Sequence, residues 1–334
     1  MINQVHIKSF GPIRDINWNN LQNINLVIGK NGTGKTTLLK ALYSAIRSVE
    51  QFKRGDEPKS INDILSENLY WTFQVGELGR LVNKAANSLT FEFNSDSGEK
   101  LKFVFGDNTA NKIGNIENTF LPRDANSIFI PAKEILSLQH SIIRSREERR
   151  EFGFDNTYYD LAKALTPPIK GRNYTYFSKS RKELKKAIGG RLVYEDRTNT
   201  WWFKDENNKK YPIGLTSEGV KKISILDSLL GNHYLSSKSL IFIDEPESAL
   251  HPELISQFMD IILSLAKNGV QFFIATHSYF VIKKLYVEAV KQNIELPVLS
   301  FEQDCEDMFD IRQGVAETKI VQETIKLYEQ EIEL

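Results

Sequence analysis

No eight residues constrain this chain more than Gly29-Lys30-Asn31-Gly32-Thr33-Gly34-Lys35-Thr36. They fit G-x-x-x-x-G-K-[ST] at every fixed position and stand between two patterns of different period. Before them, Ile24 to Ile28 is a short apolar run ending in glycine, which reads as a buried strand. After them, Leu38, Leu39, Leu42, Ala45, Ile46 and Val49 recur at helical spacing. Strand, glycine-rich loop and helix in this order aim successive backbone N–H groups, and the positive end of the helix, at one point. Phosphate oxygens belong there. Gly29, Asn31, Gly32, Thr33, Gly34, Lys35, Thr36 and Thr37 are therefore candidate nucleotide-binding residues. Lys35 would reach the β- and γ-phosphates of ATP, and the Thr36 hydroxyl would complete a Mg²⁺ shell.

A second segment, about 200 residues further on, supplies what such a loop needs. Ser239-Leu240-Ile241-Phe242-Ile243-Asp244-Glu245-Pro246 is a buried strand that delivers two carboxylates at its carboxyl end, where open α/β sheets place ligands. Asp244 is the expected metal-holding acid. Glu245 is the expected acceptor or orienter of the water that attacks the γ-phosphate.

The remaining chain reads as an α/β series. Val5, Ile7 and Ser9 alternate with polar partners, Gly11-Pro12 marks a turn, and Leu89, Phe91, Phe93 and Leu101, Phe103, Phe105 form a hairpin pattern around Asn94 to Gly98. Residues 51–87 are polar and mixed, without a clear period. Ile128 to Ile130 is a short strand leading through Pro131 into a charged region that runs to about Gly214. From Leu215 onward there follow a helix with Val220, Ile223, Leu226 and Leu229 on one side, the strand Leu240 to Ile243, a helix from Pro252, the strand Val270 to Ala275 and a further helix. Apolar strands separated by amphipathic helices imply a mostly parallel sheet covered on both faces. The division expected is 1–132 and 215–334 as the two parts of one ATPase domain, with 133–214 inserted as a lobe of helices and a hairpin.

Three further segments narrow the class, and with them the chain resembles the ABC ATPases of the SMC, RecF and OLD-like group over nearly its whole length. Asp244-Glu245-Pro246-Glu247-Ser248-Ala249-Leu250-His251-Pro252 looks like the Walker B motif and D-loop of the OLD-like branch. Thr276-His277-Ser278, after a second core strand, matches the switch-histidine position, which implies that His277 senses or polarises the γ-phosphate. Leu215-Thr216-Ser217-Glu218-Gly219-Val220 stands where the family carries its signature. Ser217 and Gly219 fit that signature while Glu218 and Val220 depart from it. The resemblance implies that Ser217 and Gly219 meet a nucleotide held by another copy, so that a head-to-tail homodimer sandwiches two ATP molecules. It implies Glu245, His277 and Lys35 as the catalytic set, and Thr36 with Asp244 as the metal ligands. At the Q-loop place after Pro131, Ala132-Lys133-Glu134 has no glutamine, the nearest being Gln139, and Glu134 is a candidate for the role. The expected fold is α/β: a P-loop NTPase of ABC/SMC-head type with an N-terminal antiparallel β part.

SMC-like relatives carry coiled coils where this chain has about 80 residues without sustained heptads and with Pro167-Pro168 and Gly189-Gly190, so a compact lobe is expected. Its arginines and lysines are interleaved with glutamates, and the whole chain has 43 basic and 43 acidic residues, so no global charge draws it to nucleic acid. Contact with nucleic acid would have to be local. Trp201 and Trp202 read as hairpin packing. OLD-like nucleases continue into a Toprim domain; 57 residues follow His277, too few for one, and the expectation is a chain without its own nuclease centre. The acidic residues Asp304, Glu306 and Asp307 read as a loop, and the single Cys305 as a structural or surface thiol. No signal peptide or bilayer-length apolar run is evident, and a cytoplasmic location without membrane contact is expected. Two functions compete. The first is an ATPase switch acting on a separately encoded effector protein, with anti-phage defence as its setting by analogy. The other is a RecF-like DNA-repair clamp. A transporter subunit fits the signature less well.

Overall fold

The computed structural model describes residues 1–169, 175–195, 197–301, 306–314 and 319–334. Two compact units make up the chain. The first combines residues 1–124 with 271–334, and the second is 125–270. The segment 133–214 expected as an inserted lobe falls within the second.

In the first unit, β1 (Ile2–Phe10) and β2 (Ile13–Asn19) pair antiparallel across the Gly11-Pro12 turn. β4 (Ser88–Ser95) pairs with β1, and β5 (Lys100–Gly106) and β6 (Asn115–Asn118) follow. The hairpin register sets Leu89 opposite Phe105, Phe91 opposite Phe103 and Phe93 opposite Leu101. All six are buried, and the Phe91 and Phe103 rings stack at 4.9 Å. Alternation in β1 fails at one point: Ser9 adopts φ 57°, so Phe10, in place of residue 9, turns inward behind Val5 and Ile7.

A parallel group lies beside this sheet in the same unit. β3 (Ile24–Gly29) is flanked by β12 (Gln271–Thr276) and β13 (Pro297–Phe301), both parallel to it, and β14 (Glu306–Asp310) adds antiparallel to β13. Two buried amides fix the register where β3 and β12 begin. Asn25 donates to the Phe272 carbonyl, and Gln271 donates to the Ile2 carbonyl while accepting from the Ile2 amide. Trp18 of β2 meets Phe273 of β12 edge-on at 6.0 Å. α1 (Lys35–Gln51) packs its buried Leu38, Leu39, Leu42, Ala45, Ile46 and Val49 inward, each worth roughly 1.5–3 kcal/mol for the larger side chains.

The polar stretch 51–87 holds an element its composition hid. α2 (Ile61–Phe73) starts at Ser60, whose hydroxyl accepts from the Asp63 amide, and it packs on α1 through Asn68 to Ser48 and Ser44 to Thr72. α8 (Tyr279–Gln292) and α9 (Lys319–Ile332) complete the unit.

In the second unit, β11 (Leu240–Asp244) runs parallel to β7 (Ile128–Ile130) with Ile243 opposite Ile130. Helices α3 (Gln139–Glu147), α4 (Asn156–Ala164), α5 (Ser178–Ile188), α6 (Glu218–Gly231) and α7 (Pro252–Lys267) accompany them. A three-stranded antiparallel sheet orders β10 (Lys210–Pro212), β9 (Thr200–Asp205) and β8 (Gly190–Glu195). Trp201 stands opposite Tyr194 and Trp202 opposite Val193. Trp201 is buried with its indole N–H donating to Gln139, so it is a packing residue of this hairpin. Among the described residues, no helix is long and apolar enough to cross a membrane.

Candidate nucleotide site

At the carboxyl ends of β3 and β12 the first unit gathers one group of expected site residues. β3 runs straight into the glycine-rich loop, and α1 leaves it at Lys35, with Gly34 in the cap position. Gly29, Gly32 and Gly34 all have positive φ, the backbone that turns a loop into a cradle. At Gly29 an added Cβ would lie 2.6 Å from the Phe301 carbonyl, so β13 presses against the start of the loop. Lys35 is buried, and its ammonium donates to the carbonyls of Gly29 at 2.8 Å and Lys30 at 2.7 Å, spanning the loop from the first turn of α1. Thr33 closes the loop by donating to the Lys30 carbonyl, and Asn31 and Gly32 are exposed at its tip. Thr36 and Thr37 are half-buried in the first turn of α1.

The neighbouring strand brings His277 to the same edge. Thr276 pairs in register with Ile28, so His277 leaves β12 beside Gly29, the last residue of β3. The Ser278 amide donates to the Thr276 hydroxyl, and the Ser278 hydroxyl caps α8 by accepting from the Val281 amide. Both neighbours of His277 are thereby tied down, and its ring is exposed.

In the second unit lies the other group. Asp244 ends β11, buried, and Glu245 follows with φ 49°, a left-handed conformation that reverses the chain directly after the strand. The Ser248 amide then donates to the Glu245 carbonyl and the Leu250 amide to the Glu247 carbonyl, giving two successive turns before α7. His251 caps α7, its ring accepting from the Glu253 amide.

Ser217 and Gly219 sit at the start of α6. Ser217 is exposed and caps its own helix, accepting from the Val220 amide at 3.4 Å. Gly219 is buried, and a Cβ there would lie 2.6 Å from the Ala249 carbonyl. Glycine at 219 is therefore required by packing within one chain, whatever else it meets.

Two lysines of α6, beyond the residues of the signature pattern, reach this region. Lys221 bonds Glu218 at 2.7 Å and both Glu134 and Ser137 at 3.3 Å. Although burial opposes its charge, Glu218 and Glu134 hold its pKa above the ordinary lysine value. Glu134, the Q-loop candidate, thus emerges from β7 beside β11 and is engaged by the signature-place helix. Lys222 is buried and donates to the Glu245 carbonyl. Burial brings its pKa down to about 8, against the pull of Glu247, Asp244 and Glu245. The signal for both was a lysine pair inside a stretch of α6 that is otherwise core.

Some basic residues of the lobe pair with acids: Arg144 with Glu148, Lys163 with Glu147, and Arg181 with Asp227. Asp304 and Cys305 lie outside the described residues. No group of three or more His, Cys, Asp or Glu residues that could hold a metal occurs among the described residues.

A family model described as "AAA domain, putative AbiEii toxin, Type IV TA system" matches residues 24–283, a span that contains every residue named above from the loop to His277. The "Glutamate transport ATP-binding protein GluA" of Corynebacterium efficiens is 36% identical over 69 residues, covering 21% of this chain and 26% of that protein. The "Uncharacterized protein MJECL10" of Methanocaldococcus jannaschii is 36% identical over 77 residues, 23% of this chain and 32% of that protein. The chain thus spans about a third or less of these curated relatives. Among solved structures, the "SMC head domain from Thermotoga maritima" superposes with a TM-score of 0.51 at 13% identity, covering 92% of this chain and 98% of that one. An SmcHead bound to the C-winged helix domain of ScpA gives 0.56 at 12% identity, covering 92% and 97%. At such identities the likeness speaks for the fold.

Proposed function

The chain belongs to the family described as AAA domain, putative AbiEii toxin, Type IV TA system, with the fold of an ABC/SMC-like P-loop ATPase, and on that footing we propose that it is a Mg-dependent ATP hydrolase whose ATP-bound head-to-tail dimer switches a separately encoded effector. One observation carries the nucleotide reading. The loop from Gly29 to Thr36 is built at the end of β3 with a lysine spanning it and His277 leaving the adjacent strand end. Its positive-φ glycines and the open space around Gly32 fit a polyphosphate.

In this reading Gly29, Asn31, Gly32, Thr33, Gly34, Thr36 and Thr37 bind the phosphates and Lys35 follows the β- and γ-oxygens. Thr36 and Asp244 would hold Mg²⁺, which supplies charge neutralisation on the phosphate oxygens. Glu245 orients water or takes its proton, and His277 faces the γ-phosphate. Ser217, at an exposed helix N-terminus, meets the nucleotide of the second copy. The family's description supports a setting in defence.

The test is the Glu245→Gln variant, which keeps binding and stalls turnover, purified untagged with Mg-ATP and measured by light scattering. Doubling of the mass with ATP, and recovery of a distinct protein partner, is the expected result. A monomer at saturating ATP would overturn the dimer switch, and recovery of DNA alone would favour the clamp.

A further inference from the structure

One face of α6 grips the loop that carries the acids at two points. Gly219 lies so close to the Ala249 carbonyl that no larger residue fits, and Lys222, three residues on, donates its ammonium hydrogen to the Glu245 carbonyl. Residues three apart share a helix face, so both grips come from one rigid surface. They hold the two ends of a loop whose backbone is left-handed at each end, Glu245 at φ 49° and Ala249 at φ 62°. Neither residue is glycine, and such conformations persist only where the surroundings over-determine them. The Glu245 carbonyl accepts from both the Ser248 amide and Lys222, so the first strained residue is pinned from inside the loop and from α6.

The choice of lysine is informative. Lys222 is 3% exposed in a helix whose neighbours Ile223, Leu226 and Leu229 are fully buried, and an apolar side chain would occupy the same space without desolvating a charge. Three carboxylates, Glu247, Asp244 and Glu245, act on the ammonium. An ammonium at this place stabilises a turn in which three acids crowd together, and it does so through the backbone of the residue that must aim at water.

We infer that Lys222 is a positioning residue for ATP hydrolysis: it fixes the backbone of Glu245, and so the aim of that carboxylate, and makes the acid-bearing loop move as one body with the N-terminus of α6. This rests on the reading of Glu245 given above.

The experiment compares Lys222→Met, which keeps the length of the stem and removes the donor, with the unaltered chain and with Glu245→Gln. Lys222→Met is expected to bind ATP with unchanged affinity and to lose roughly 10–100-fold in kcat, the scale of a small misplacement at a reacting centre. The amides of Ser248 and Leu250 should exchange with solvent faster than in the unaltered chain. If Lys222→Met does not fold, Lys222→Gln, too short to span to the carbonyl, serves in the same measurements. An unaltered kcat, or a lower kcat with unaltered exchange at Ser248, overturns the inference while Glu245→Gln remains inactive. Should Glu245→Gln itself turn over ATP normally, the reading of Glu245 fails and the inference falls with it.

Discussion

At Gly29 two demands fall on one residue. Its φ of 143° is closed to L side chains, and a Cβ would press on the Phe301 carbonyl of β13 at 2.6 Å. Gly29→Ala should therefore cost roughly 1–3 kcal/mol from backbone strain alone, with the clash added. A thermal melt should fall by about 2–4 °C for each kcal/mol lost, and a variant that melts with the unaltered chain would show that the loop start tolerates rearrangement. The loop glycines were legible because the motif states where the backbone must turn. The neighbour that presses on Gly29 was not, since Phe301 lies 272 positions away and β13 is only five residues long. Gly219 is the converse case. Its place in a signature pattern made it a nucleotide candidate, and the geometry supplies a separate reason for it in the Ala249 carbonyl.

α6 is tied to three other parts of its unit. Lys221 ties it to Glu134 after β7, Lys222 to the loop after β11, and Asp227 to Arg181 of α5 at 2.7 Å. The last pair is buried on both sides, at 4% and 3% exposure, and Gly231 leaves room for the guanidinium, whose Nη2 would otherwise lie 2.6 Å from a Cβ. Arg181→Met should cost about 3–5 kcal/mol, because Asp227 is left charged and buried without its partner. Arg181→Met with Asp227→Leu should recover much of that loss, and urea midpoints for the two variants measure both. Equal midpoints for the single variant and the unaltered chain would show that Asp227 finds another partner. The cap and apolar face of α6 could be read from its residues, whereas a pair 46 positions apart leaves no local trace. α2 shows a different gap: Ser60 and Asp63 make a cap, and Ile61, Ile64, Leu65 and Leu69 keep helical spacing, but polar neighbours diluted the pattern.

For the whole molecule, both motif-bearing strands and the antiparallel start of the chain were legible, because each carries its own period and its own turn chemistry. The strands at the tail were not, since β13 and β14 are short and take their place only by pairing, β13 with β3 and β14 with β13. In the proposed function, the glycine-rich loop binds the polyphosphate and the strand-end pair of acids serves its hydrolysis. Steady-state hydrolysis of Mg-ATP by the unaltered chain, with Lys35→Ala and Glu245→Gln beside it, measures this directly. The expected result is hydrolysis by the unaltered chain, no ATP binding by Lys35→Ala, and binding with turnover reduced by roughly 100-fold or more in Glu245→Gln. Hydrolysis by Lys35→Ala at the unaltered rate would contradict the assignment of the loop and the function built on it.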